Sequence, residues 1–339
     1  TVGAPLLVTS YRSFIKQFGG PLSEFGYGEY RYLAPSVEQF FANGGTRCYV
    51  SRVIPPDAKK AFVQKGILGV EAVDEGKWGN RIQVTLNTAT RKKMQLVGKN
   101  GEAYVAKSVD GFREGDLVVC NEEYNRIQSI FDNSVTFERA FGQEIVDTAL
   151  IPKTLVYLVE TDMSVRYGED VENYTGLSFN TANPNYISYR LANSELIRIT
   201  VQTPETAGNP VEAILGEGNT AGIFTLEGGQ DGSMSGVNAG TFIGEDNGPG
   251  KRTGLASFVE NNTVSMLAIP GVTIPEVVVS LVGHCENLKS RFAVLDMPKE
   301  MYKTKDLLQY REMIDSTYAA MYHPWIQVFD RSSNQPGLI

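Results

Sequence analysis

Histidine is scarce in this chain: only His284 and His323 occur among 339 residues. Neither has a His or Cys partner at metal-ligand spacing, and HxxxH and CxxC are absent, so a zinc site has nothing to build on. Both read as structural, because lone His residues pack more often than they catalyse. Cysteine is equally sparse. Cys48, Cys120 and Cys285 are odd in number and far apart, which fits free thiols in a reducing compartment and excludes a disulfide framework. No apolar run approaches the ~18 residues that a membrane span needs, and the N-terminus lacks the basic segment of a signal peptide. A basic excess is missing too. The net charge is −8, which argues against a nucleic-acid binder and favours neutral or cationic partners.

What is present is a globular composition, 42% hydrophobic and 21% charged, in a chain long enough for two or three domains at ~150 residues each. It opens at Thr1 without Met and closes on loop-like SSNQPGLI, as expected of a fragment or processed form.

The N-terminal stretch predicts a strand at 6–9, then a helix capped by Ser10 with Tyr11, Phe14, Ile15 and Phe18 on one face. After a Gly- and Tyr-rich loop at 21–34, Val37, Phe40 and Phe41 share a second helical face. Asn43-Gly44-Gly45 supplies the left-handed stop, and Cys48–Val53 has β-prone residues. This β-α-α-β opening suits a parallel or mixed α/β sheet. A strand is expected near 67–72. Trp78-Gly79-Asn80 then forms a turn before a strand in which Ile82, Val84 and Leu86 alternate.

From about 91 to 150 the texture changes to short alternating strands at 94–97, 102–109, 116–121, 126–131 and 135–141. Lys99-Asn100-Gly101, Asn121–Tyr124 and Asp132-Asn133 separate them as hairpin signals. This predicts an inserted small β-barrel or sandwich. The domain layout expected is therefore 1–90 plus 151–339 as one discontinuous α/β domain, with 91–150 inserted. Strands are expected at 155–160 and 164–166, within a polar, acidic stretch that runs to 179. A short helix and a strand at 196–201 follow, and 203–254 reads as one long loop. Beyond it, 264–269 and 291–295 read as strands. Thr273-Ile-Pro-Glu276 reads as a capping box for a helix bearing Val278, Leu281, Val282, Cys285 and Leu288. Leu307, Tyr310, Ile314, Tyr318 and Met321 mark the next helix, and 325–329 the next strand. That order, β-α-β-α-β, predicts right-handed parallel crossovers.

Catalytic motifs are weak. In Gly248-Pro-Gly-Lys-Arg-Thr-Gly254 the phosphate-loop pattern fails, because Glu245 stands where the first Gly is needed and Arg252 where Ser or Thr is needed. The run Gly228-Gly-Gln-Asp-Gly232 does not lie between a strand and a helix, and no Gly-x-Ser-x-Gly elbow occurs. The best enzyme candidates are Asp296 and Asp330, each at the carboxyl end of an expected parallel strand, where α/β sheets place their sites. Both precede turn-like sequence, and Asp caps turns well. A hydrolase using this pair is the alternative function.

Several stretches, taken in order, resemble the contractile-tail sheath proteins of phages. LLVTSYRSFIKQFGG with FFANGGTRCYVSRV resembles the N-terminal part of that family. GKWGNRIQV resembles its Trp-Gly-Asn turn (Trp78, Gly79, Asn80), and GEDVENYTGLSF one of its strands. LEGGQDG (Gly228, Gly229, Asp231, Gly232), TGLASF, MLAIPGV (Pro270, Gly271), FAVLDMP (Asp296, Pro298) and YAAMYHPWIQVFD (Pro324, Trp325) are similar to further family motifs. The resemblance covers most of residues 4–330. It omits 91–150, which resembles the variable outward insertion of sheath subunits. It implies a structural subunit without cofactor or metal, polymerised as helical rings around a tail tube and contracting to drive the tube through a cell envelope. The same fold serves R-type bacteriocins and secretion-system sheaths. Implied partners are other sheath subunits, and the tube and baseplate through segments outside this chain. The implied location is the virion tail, assembled in the host cytoplasm. Relative to the family, the N-terminal arm and the C-terminal tube-contacting domain are missing, so this portion alone is expected to be monomeric.

Overall fold

The computed structural model describes residues 3–142, 154–202, 208–330 and 335–338. The chain divides into two compact units, Lys59–Gln230 and Thr1–Ala58 with Asp231–Ile339. Within the first unit, strands on either side of the barrel segment pair with each other, Glu160 opposite Ala89, so the segment interrupts one sheet.

In the unit spanning 59–230, six antiparallel strands close into a barrel. Their order around it is Ser134–Phe137, Ala103–Ala106, Lys93–Asn100, Leu155–Leu158, Leu117–Cys120 and Glu123–Phe131. The sixth strand, Leu155–Leu158, lies beyond residue 150. Alternation sends Met94, Leu96, Val118, Cys120, Ile127, Val135 and Val156 into one buried interior, as period-2 geometry requires. Closure also leaves no free edge on this small module. The Asn121-Glu122 turn puts both residues at positive φ, 47° and 65°. That is the primed geometry matching the twist of a two-residue hairpin.

Two further sheets complete this unit. One runs Asp170–Leu177, Glu160–Tyr167, Gln83–Ala89, Ala221–Thr225, and the other Ile197–Val201, Leu68–Glu75, Lys60–Lys65, all antiparallel. They share a core containing Leu68, Val70, Ala72, Val84, Leu86, Met163 and Val165. Burying each Val or Leu contributes roughly 1.5–3 kcal/mol. The acidic stretch after 164 is thus a hairpin: Tyr174 and Leu177 turn inward, and Glu172 on the same side accepts the Ser194 hydroxyl and the Glu195 N–H. The region 203–254 is not one loop among its described residues. It contains helices Pro210–Leu215 and Ala239–Ile243 and strand Ala221–Thr225. Each is only five or six residues long, too short for periodicity to register.

The other unit holds the N-terminal stretch and the region after 231. Strands Leu6–Val8 and Cys48–Val50 pair antiparallel, with Leu6 opposite Val50, so of the parallel or mixed sheet expected the parallel form does not occur here. Two main helices, Tyr11–Phe18 and Leu33–Ala42, lie between them. One helix reverses the chain once and gives a parallel strand; two reverse it twice. Phe14, Val37, Val8 and Val50 form the shared core. Ser10 caps the first helix by accepting the Ser13 N–H at 3.1 Å. Gly44 sits at φ 93°, and a Cβ on Gly45 would meet the Phe40 ring at 2.3 Å.

Strands Met266–Ala268, Phe292–Asp296 and Ala319–Tyr322 form a three-stranded parallel sheet. Helix Pro275–Leu288 covers it through Val278, Leu281, Val282 and Cys285. The residue capping this helix is Ile274, which makes no side-chain cap bond, so the expected Thr273 box does not form; the Thr273 carbonyl accepts the Tyr310 hydroxyl at 2.8 Å. The final helix stops at Arg311. Tyr318 and Met321, which fit its stripe, lie at or in the third strand. A short apolar run satisfies both periods, and pairing with Phe292–Asp296 decides. Gln327–Asp330 then pairs antiparallel with Gln335–Leu338 in a separate two-stranded sheet, not as a further parallel strand. Among the described residues no helix is long and apolar enough to cross a membrane.

Candidate functional site

Most of the positions singled out in the sequence fall in two clusters, one in each unit, with Gly44 and Gly45 apart at the end of helix Leu33–Ala42. In the unit spanning 59–230, Lys77–Arg81 forms a short 3-10 helix. The Trp78 indole N–H donates to the Glu75 carbonyl at 3.1 Å, and the indole meets the Tyr167 ring edge-on at 5.3 Å. Gly79 is buried, and a Cβ there would lie 2.7 Å from the Ala61 Cβ and 2.9 Å from the Ala72 Cβ. Only Gly lets this turn close on both strands. Asn80 then reaches across 149 residues of sequence. Its Nδ2 donates to the Gly229 carbonyl at 3.0 Å, and its Oδ1 accepts the Gly229 N–H at 2.7 Å. A Cβ on Gly229 would lie 2.4 Å from the Gly76 carbonyl oxygen, so the approach requires glycine at that position too. One residue on, Gln230 and Lys59 exchange two backbone hydrogen bonds of 2.9 Å.

The next residues belong to the other unit and are fastened there. The Ser233 N–H donates to Asp57 Oδ1 at 2.9 Å. Gly232, at φ 79°, stands where a Cβ would meet the Pro55 Cβ at 2.7 Å. Asp231 lies near Tyr27, whose phenol is pushed above its ordinary value first by burial and then by that carboxylate. The chain therefore crosses between units at 58–59 and 230–231 with its motif residues secured on either side.

The second gathering lies in the unit of 1–58 and 231–339. Asp296, at the end of its parallel strand, accepts the Gly271 N–H on Oδ2 at 2.8 Å. Gly271, at φ 78°, follows Pro270 in a tight turn. A Cβ on Gly271 would collide with the Tyr32 ring at 2.3 Å and the Glu29 carbonyl at 2.4 Å. Tyr32 in turn packs on Trp325, with ring centroids 4.9 Å apart, and the Trp325 indole donates to the Met297 carbonyl at 2.7 Å. Pro298 opens the turn that follows, its carbonyl accepting from Met301 N–H. Pro324 follows a cis peptide bond from His323. Tyr32 carried no sequence signal beyond membership of a Tyr-rich loop.

Asp296 ends a parallel strand and serves the Gly271 turn, whereas Asp330 ends a strand of the separate two-stranded sheet. His284 is an acceptor for a buried cation: its Nε2 lies 3.2 Å from Arg291 Nη1. Arg291 also donates to the Phe258 and Asn261 carbonyls. Burial, with Arg291 second, lowers the His284 pKa to about 4. This imidazole is a neutral packing element. In the rejected phosphate-loop stretch, Arg252 pairs with Asp246 and Glu260, each at 2.7 Å. Among the described residues no group of three His, Cys, Asp or Glu is placed to hold a metal.

No protein-family model matches the chain, and no curated protein does either. Among solved structures it is similar to a sheath tail protein from Listeria innocua, with 12% identity and a TM-score of 0.40. That match covers 89% of this chain and 46% of that one. It is also similar to a sheath tail protein from Desulfitobacterium hafniense, with 10% identity and a TM-score of 0.40, over 100% of this chain and 52% of that one. The chain spans about half the length of these proteins. Likeness at this level carries no functional argument.

Proposed function

We propose that the chain is part of a contractile-tail sheath subunit, a structural protein rather than an enzyme. It stacks with copies of itself around a tail tube and contracts to drive the tube through a host envelope. The observation that carries this reading is the behaviour of the ordered sheath-like motifs. Trp78-Gly79-Asn80 and Gly228-Gly229 are far apart in sequence, yet they meet through two side-chain hydrogen bonds and two close glycine approaches. Gly271, Asp296 and Trp325 meet in the same manner around Tyr32. Motifs that lock a framework, with no reacting group at their centre, suit a part that must transmit force without deforming. Sheath contraction exchanges one set of interfaces for another while the bodies stay rigid.

In this reading the partners are other sheath subunits, with tube and baseplate contacts made outside these residues, and the place of action is the tail of a phage particle. A sheath of a related injection machine, an R-type bacteriocin or a secretion system, is the same proposal in another setting. Immunogold labelling with antibody against the barrel tests it in the cells that make the protein. Label in regular rows along tubular tails is expected. Label confined to unassembled protein, in lysates where tails are visible, overturns it.

A further inference from the structure

The barrel is joined to the rest of its unit by two short crossings. One is Thr90-Arg91-Lys92, between strands Gln83–Ala89 and Lys93–Asn100. The other is Val159, between Leu155–Leu158 and Glu160–Tyr167. Two polar assemblies lie across this joint. The first is a set of four charges. Arg91 forks onto both Asp162 oxygens, with Nη1 at 2.9 Å from Oδ1 and Nη2 on Oδ2. Lys92 Nζ reaches Glu160 Oε1 at 3.2 Å, and Arg91 lies 3.9 Å from the other oxygen. Asp162 also accepts the Gly176 N–H at 3.0 Å, where the register of the hairpin shifts. The cations are about half exposed, at 53% and 47%, while Glu160 is 6% exposed.

The second assembly is uncharged on its donor side. Asp116, fully buried in the turn before strand Leu117–Cys120, accepts Asn180 Nδ2 at 2.8 Å and Asn183 Nδ2 at 2.9 Å on Oδ1. Its Oδ2 accepts the Arg113 N–H at 2.9 Å. Asn180 also donates to the Glu114 carbonyl at 2.8 Å. The two amides are oriented by their own loop: Asn180 Oδ1 accepts the Ala182 N–H and Asn183 Oδ1 the Asn185 N–H. Between the assemblies lies a polar cavity of about 130 Å³, lined by Lys92, Arg113, Glu160, Ser178 and Asn183. It is large enough for water, and buried Leu158 and Val159 form its apolar side.

Neither assembly is needed to hold the barrel itself together. Its ladder closes on itself, and its interior residues form their own cluster. We propose that the barrel is a lockable limb. The Asp116–Asn180–Asn183 latch, backed by the clasp of Arg91, Lys92, Glu160 and Asp162, holds it in one orientation. Lys92 and Val159 are carried in the barrel ladder, because the Leu158 N–H donates to the Lys92 carbonyl and the Val159 N–H to the Leu117 carbonyl, each at 2.9 Å; when the latch opens, the barrel turns about Thr90-Arg91 and the 159–160 link as a folded body. A dry carboxylate is costly unless hydrogen-bonded, and the amide bonds that compensate Asp116 are strong only while water is kept from competing for them. The latch therefore has two states, closed and hydrated. The half-exposed clasp is weakened by salt as the Debye length falls from about 10 Å at 0.1 M to about 3 Å at 1 M.

Nuclear spin relaxation of backbone amides in the full, deuterated chain tests this without any assembly step, so it can fail separately from the sheath reading. In the unaltered protein, barrel and sheet amides are expected to share one rotational correlation time. In the variant N180A/N183A/R91A/K92A, barrel amides should keep their chemical shifts away from the joint while their correlation time falls about two-fold or more. A second variant, N183D, sets a carboxylate against Asp116 without altering any barrel residue and should give the same fall. Adding 1 M salt should enlarge the effect of N183D. Barrel amides that still tumble with the sheet in both variants overturn the proposal. So does loss of the folded barrel signals in either, because the limb must stay folded when it is released.

Discussion

Replacing Asn80 by Ala should destabilise the unit spanning 59–230 far more than its half-buried position implies. The substitution removes two hydrogen bonds, at 3.0 and 2.7 Å, to the two backbone groups of Gly229. Each contributes about 1 kcal/mol net, and stranding a buried backbone group costs ~1–3 kcal/mol more unless water enters. Because Asn80 is only part-buried, some water will enter, and a total loss of about 2–3 kcal/mol is expected. With a urea slope of roughly 2–3 kcal/mol/M, the midpoint should fall by about 1 M. The assay is available because the chain has two Trp, one in each unit. In a W325F background, Trp78 fluorescence reports on the unit of 59–230 alone. Asn80→Asp keeps an acceptor for the Gly229 N–H but faces a carboxylate oxygen to the Gly229 carbonyl, so it should recover little. A midpoint shift below about 0.3 M for Asn80→Ala would refute the claim that this side chain ties the two motifs together.

Gly271→Ala forces a Cβ into the Tyr32 ring at a left-handed φ of 78° and should cost about 3 kcal/mol or more, read from Trp325 fluorescence in a W78F background. If Asp296 and Asp330 serve separate sheets, a double-mutant cycle of Asp296→Ala and Asp330→Asn on stability should be additive within about 0.5 kcal/mol; strong coupling would restore the dyad reading. His284 gives a pH dependence. Its folded pKa of about 4 lies below the unfolded value of 6.5, so below 6.5 the unfolded chain binds the extra proton. Its contribution is complete above pH 6.5 and is lost as pH falls toward 4; because the ring is half-exposed, solvent screening holds it to about 1–2 kcal/mol. His284→Gln, which keeps an acceptor for Arg291, should flatten the stability profile across that window.

Local chemistry made much of this fold readable. Ser10 caps where its residue type says it should, Asn43-Gly44-Gly45 ends its helix, and the hairpin dipeptides between 91 and 150 mark the turns of a real barrel. The errors came where direction or pairing is non-local. Two helices between Leu6–Val8 and Cys48–Val50 leave the strands antiparallel, and Ala319–Tyr322 is a strand because Phe292–Asp296 lies beside it. Thr273 followed by Glu276 spells a capping box, yet the helix begins one residue later, with Ile274 at the cap and Pro275 first, which moves Glu276 out of the N3 position. Of the motif sites, the sequence marked Asn80 and Gly229 individually, but nothing in it says that they touch. Tyr32, Asp116, Asn180 and Asn183 lie in unremarkable polar or Tyr-rich stretches. Their importance rests on partners more than sixty residues away, or on another loop.

The central claim is tested most directly by the mass and shape in solution of the protein as its gene encodes it, by light scattering with negative-stain microscopy. The account predicts hollow tubes or stacked rings. A small discrete particle at every salt and protein concentration would contradict it.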